Sequence, residues 1–111
     1  MCGALAGHDF PSDANNVGTI HVFYISDGKE VCELYRQHGR TPWFGNNLTA
    51  SAVGGTNHFP YYDPHRIMPM ISYVWPDDNS QHVIYIDGNQ NVIDLWYVIG
   101  GGWTATPIGP W

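Results

Sequence analysis

The stretch His21-Val22-Phe23-Tyr24-Ile25, followed by Val31-Cys32-Glu33-Leu34-Tyr35, recurs downstream as His82-Val83-Ile84-Tyr85-Ile86 and Val92-Ile93-Asp94-Leu95-Trp96. Each matched position lies 61 residues after its counterpart, with no gap from His21/His82 to Tyr35/Trp96. Self-similarity at a fixed offset means one supersecondary unit used twice. Such units hide their apolar faces by stacking on copies of themselves. Assembly is therefore the first question this chain poses.

The match extends in both directions. Upstream, Leu5 to Pro11 aligns with Met70 to Pro76, ending in Phe10-Pro11 and Trp75-Pro76. The first copy then carries four extra residues around Asn15-Asn16-Val17-Gly18, as a loop tolerates. Downstream, Trp43 matches Trp103 after a one-residue difference. Enrichment in Tyr, Val, Ile and Trp predicts strands at Leu5–Phe10, Thr19–Ser26, Glu30–Gln37 and Trp43–Thr49. The second copy repeats them at Met70–Trp75, Gln81–Asp87, Asn91–Ile99 and Trp103–Ile108. Asp27-Gly28 and Gly88-Asn89 fall between second and third strands, where a hairpin turn needs positive φ. Ala50 to Pro69 carries Gly54-Gly55 and three prolines and reads as a connecting loop, not a helix. The chain is thus one domain, 1–111, of two repeats (about 4–50 and 69–109) joined by a loop at 50–69.

Four short antiparallel strands per unit predict an all-β fold of two propeller-like blades. The second strand of the first copy is apolar on both sides, as a blade packed on both faces requires. Val22, Tyr24, Leu34, Val83, Tyr85 and Leu95 are the expected core. Two blades alone leave two outer faces uncovered, a patch too large for a soluble monomer. Self-association into a closed homo-oligomer, of three or four chains for six or eight blades, is the expected solution. The structural alternative is a face-to-face sandwich of the two copies.

Composition narrows the partners. The net charge is -6, and only Lys29, Arg36, Arg40 and Arg66 are basic. They are dispersed, so the clustered cations that phosphate backbones require are missing and nucleic acid is a poor partner. The same argument sets aside anionic membranes, and no apolar run reaches a bilayer span. Met1-Cys2-Gly3-Ala4-Leu5 lacks the pattern of a secretory signal, which makes the cytoplasm the default compartment. Cys32 aligns with Ile93 and reads as a small buried hydrophobe, without C-x-x-C spacing to Cys2. His58, His65 and Asp63 share a loop but lack close ligand spacing, so no metal is expected. No nucleophile elbow, P-loop or dinucleotide motif is present, so neither an enzyme nor a cofactor is expected.

Two repeated constellations carry possible chemistry. His21 with Glu33, and His82 with Asp94, could meet across neighbouring strands. They read either as polar pairs inside a ligand pocket or as buried pairs that hold strand register. Trp43 and Trp103 read either as stacking platforms or as packing between units.

The phrase Gln81 to Gly88, then Val92 to Tyr97 and Gly101-Gly102-Trp103, resembles the blade repeat of β-propeller lectins. So does Val31 to Tyr35 with Trp43 and Asn47-Leu48-Thr49. The families are the fucose-binding lectins of the orange-peel-mushroom type and related bacterial propeller lectins. The resemblance implies a non-catalytic carbohydrate-binding module with sugar sites between blades. It implies an Arg on the second strand, an acid on the third and a stacking aromatic. Those positions are His21 and His82, Glu33 and Asp94, and Trp43 and Trp103 with Tyr35 and Trp96 nearby. Imidazole lacks the bidentate guanidinium fork, which points to a ligand other than fucose, or to none. The alternative is a structural or interaction module that builds a ring without binding sugar.

Overall fold

The computed structural model describes residues 4–10, 18–40 and 42–110. Cys2 and the insertion at 15–17 lie outside the described residues. The chain is all-β and forms two four-stranded antiparallel sheets, each a meander. The first contains β1 (Leu5–Phe10), β2 (Thr19–Ile25), β3 (Val31–Gln37) and β4 (Phe44–Asn47), in that order. The second contains β5 (Met70–Trp75), β6 (Ser80–Ile86), β7 (Asn91–Val98) and β8 (Gly102–Pro110). Residues 61 apart hold matching registers: His21 opposes Tyr35 and His82 opposes Trp96. The prolines at 107 and 110 sit on β8, an edge strand that needs no donor on its free side.

Both hairpins after β2 and β6 are three-residue loops. Lys29 N donates to Ser26 O at 2.9 Å, and Gln90 N to Asp87 O at 3.0 Å. The residue with positive φ is the third of each loop, Lys29 (62°) and Gln90 (65°), rather than Gly28 or Gly88. This is a type I turn closed by one left-handed residue, which a two-residue reading misplaces.

The sheets pack face to face through one side each. Period-2 alternation points Phe23 and Val31 from the first sheet at Val83, Tyr85, Ile93 and Leu95 of the second, and all six are buried. Trp103 packs against Phe23 with ring centroids 5.9 Å apart.

The expected core is thus half corrected. Val83, Tyr85 and Leu95 are buried, but Val22 and Tyr24 are half-buried and Leu34 is 38% exposed. Cys32 is likewise half-buried. These four lie on the outward face of the first sheet, because only one side of each sheet has a neighbour within the chain.

The connection between sheets is also more ordered than a plain loop. One helical turn, α1 (Leu48–Ser51), is capped by Asn47, whose Oδ1 accepts from Ala50 N at 3.1 Å. Leu48 and Thr49 are fully buried. The turn cuts short the strand expected to reach Thr49. Val53 then pairs with β8, donating to Trp103 O and accepting from Ala105 N. Gly55 begins a short 3-10 turn (Gly55–Asn57) pressed against α1. A Cβ at Gly55 would collide with the Thr49 carbonyl oxygen and lie 3.0 Å from its carbon. Gly55→Ala should therefore cost about 1–3 kcal/mol, read as a lowered urea midpoint. An unchanged midpoint would show that the turn yields freely.

Candidate functional site

At one end of the packed faces the apolar core gives way to polar side chains. β2 and β3 place His21 and Glu33 on the packed face of the first sheet, both buried. Glu33 Oε2 accepts from His21 Nδ1 at 2.6 Å. Because Nδ1 donates to a carboxylate, Nε2 is free to accept from Thr19 Oγ1, 2.7 Å away. Glu33 Oε1 accepts from Asn46 Nδ2 at 3.2 Å, so β4 helps orient the carboxylate. Tyr35 stacks on the His21 ring, with centroids 5.7 Å apart and planes within 17°.

The second sheet closes the opposite wall. Gln81 Oε1 accepts from His8 Nε2 at 2.8 Å, a bond that crosses between sheets. Burial pushes the His8 imidazole below its ordinary pKa, opposed by the Gln81 hydrogen bond and reinforced by nearby His21. Tyr97 packs edge-on against Phe10 of β1, with centroids 6.4 Å apart. Trp103 lies 5.4 Å from the Tyr97 ring. Between these walls is a cavity of about 280 Å³, lined by His21, Glu33, Tyr35, Gln81, Tyr97 and Trp103 among others. Among the described residues, no Lys or Arg lines it. A carboxylate has about four lone-pair positions. Glu33 thus retains acceptor capacity for ligand hydroxyls after meeting His21 and Asn46. Tyr35 from the first sheet and Tyr97 and Trp103 from the second line the same cavity.

Of the eight residues singled out in the sequence, the structure brings His21, Glu33, Tyr35 and Trp103 into this cavity. Trp43 is elsewhere: 43% exposed, it lies under the Arg36 guanidinium at 5.0 Å. His82, Asp94 and Trp96 occupy the outward face of the second sheet. There His82 Nδ1 meets both Asp94 oxygens at 3.0 Å, and Nε2 lies 2.7 Å from Ser80 Oγ. Tyr73 stacks on the His82 ring at 4.7 Å. Gln81, Tyr97, Asn46, Thr19 and Phe10 were missed. For Gln81 and Tyr97 the repeat gives a signal only once the direction of stacking is known, which sets the second copy's odd-numbered strand positions against His21 and Glu33. In the connection, His58 turns to Asp87 and Asp63 to Arg66. Among the described residues, no group of three His, Cys, Asp or Glu is placed to hold a metal.

The whole two-sheet arrangement has a counterpart among solved structures. A fucose lectin from Kordia zhangzhouensis, solved in complex with methyl-fucoside, superposes with a TM-score of 0.58 at 12% sequence identity. The match covers 96% of this chain and 64% of the lectin's, so the chain spans less than two thirds of that protein's length. No family model and no curated protein matches the sequence. Likeness at this identity shows a lectin-like fold.

Proposed function

We propose that the protein is a non-catalytic carbohydrate-binding module whose sheets are propeller blades, with sugar sites between neighbouring blades. The observation that carries this reading is the cavity between the sheets. It joins a buried, oriented carboxylate to aromatic walls, the combination that grips a sugar's hydroxyls and its apolar ring face. The absence of Lys and Arg from its lining favours a neutral sugar over an anionic one. His21 in place of a guanidinium favours a ligand other than a fucoside.

The reading includes self-association. Leu34, Ile71, Tyr73 and Trp75 are exposed on the outward faces of the two sheets. A cyclic assembly would cover them, and His82, Asp94 and Trp96 would then line a second class of site. Several identical weak sites on one rigid ring give avidity. If no sugar binds, the same exposed faces favour the structural alternative, a ring-forming module.

A glycan array should show binding by the wild type that Glu33→Gln weakens by about tenfold or more, since a charged acceptor is replaced by a neutral amide. Circular dichroism would confirm that the variant is folded. Full binding by folded Glu33→Gln would remove this cavity from consideration. Absence of any binding by the wild type would favour the structural module. Light scattering tests the assembly, and a monomer at micromolar concentration would end it.

A further inference from the structure

The two sheets show opposite faces of the same pattern. The first buries His21, Glu33 and Tyr35 against the second sheet's Gln81, Tyr97 and Trp103. The faces left outward are their counterparts: His82, Asp94 and Trp96 on the second sheet, and Ile20, Arg36 and Trp43 at the first. The correspondence follows from register. Tyr97 pairs with Trp103 one step beyond Trp96↔Thr104, and Tyr35↔Phe44 puts Trp43 opposite Arg36 in the same way. Stacking a second copy in the direction already used within the chain would set Arg36 and Trp43 of one copy against His82, Asp94 and Trp96 of the next. A one-way contact of this kind closes into a ring where its rotation divides a full turn, and otherwise grows as a filament.

The seam so formed would differ from the internal cavity at one decisive position. Tyr97 of the internal site becomes Arg36, and Phe10, against which Tyr97 packs, becomes Trp75. Arg36 Nε is buried and has no hydrogen-bond partner among the described residues, while its guanidinium rests on Trp43. Trp75, 52% exposed, would cover the other side of the guanidinium. A planar cation held between two indoles keeps its edge N–H donors for a ligand. The carboxylates of the two facing surfaces have partners of their own: Asp94 faces His82, Asp78 Oδ1 accepts from Ser80 N and Oγ beside His82, and Asp9 Oδ1 meets His38 Nε2 at 3.3 Å.

We propose that the seam between two copies is a second binding site, selective for sugars that carry a carboxylate, with Arg36 as the residue that reads it. This rests on the lectin reading and on self-association, and it goes beyond both by assigning different specificities to the two sites. In the internal cavity the Glu33 carboxylate has no Lys or Arg beside it among the described residues and repels an anion, whereas the matching Asp94 of the seam would stand beside Arg36. The seam adds a guanidinium whose paired donors match the two oxygens of a uronate or sialate.

The test titrates the assembled protein with methyl β-glucuronide and a methyl sialoside, against methyl β-glucoside. At least one acidic probe should bind, and Arg36→Gln should weaken that binding about tenfold or more. Arg36→Lys should recover only part of it, because charge returns without the fork. Lys29→Gln, which removes the same charge from an exposed hairpin loop at the other end of the first sheet, should leave it unchanged. Light scattering on the same samples confirms that the variants still assemble. Acidic-probe binding that survives in assembled Arg36→Gln would overturn the proposal. So would binding of the neutral probe alone, which would leave the lectin reading standing. A monomeric wild type would overturn the seam site together with self-association and leave the internal cavity standing, and no binding of any probe would overturn the seam site, with the glycan array deciding the lectin reading separately.

Discussion

Phe23→Ala should destabilise the protein by about 3–5 kcal/mol, and Leu95→Ala by about 2–5 kcal/mol. Both side chains are fully buried and face each other across the junction of the two sheets. Truncation there removes apolar contact and leaves a cavity that two rigid sheets close only in part. A loss of this size is a large fraction of the about 5–15 kcal/mol that holds a typical domain together. Leu34→Ala, the same chemical change at the matching position of the first sheet, should shift the unfolding of a single chain by only about 0.5 kcal/mol, because Leu34 faces outward. Its effect belongs to chain association, read as a rise in the concentration needed to assemble. Urea denaturation at low protein concentration separates the two. Equal losses for Leu34→Ala and Leu95→Ala in the monomer would mean that the outward face is covered within the chain.

That contrast marks the boundary of what the sequence discloses. Strands at Leu5–Phe10 and Met70–Trp75 coincide with their predicted bounds, because aromatic and β-branched runs between turn residues leave little alternative. Which face of each sheet is covered is a different matter. In β2, Val22 and Phe23 are both apolar, and alternation sorts them to opposite faces without saying which one meets a neighbour. Only the direction in which copies stack decides that. The His21–Glu33 pair is legible as a repeated His and acid twelve residues apart. Gln81 is not, because its contact with His8 spans 73 residues. The helical turn at Leu48–Ser51 is too short for a periodic signal, and Asn47, a favourable cap, is its one local mark.

Asp87→Ala should cost about 3–5 kcal/mol, since it leaves three part-buried donors without their acceptor. Asp87 is 1% exposed and lies just beyond β6, where the connection between sheets is tied down. Its carboxylate accepts from His58 Nδ1 at 2.9 Å, Asn89 N at 3.0 Å and Asn91 N at 2.8 Å. Around it, Tyr85 Oη donates to His58 O at 2.6 Å, and Gly88 N to Phe59 O at 3.0 Å. One carboxylate thus holds both the hairpin loop and the connecting segment. Burial pushes the Asp87 carboxyl up, but the hydrogen bonds from Asn91, His58 and Asn89 outweigh it and hold the group below the usual carboxylate range. A carboxyl lower in the folded than in the unfolded chain stabilises at all pH above the ordinary carboxylate value of about 4. That stabilisation fades as pH falls toward the folded value. Asp87→Asn removes the titration but keeps the shape. The stability gap between wild type and Asp87→Asn should therefore be constant near neutrality and narrow below about pH 4. Urea midpoints for both proteins across that range measure it, and a gap that stays constant to about pH 3 would show that the Asp87 charge is not what binds the connection to the second sheet.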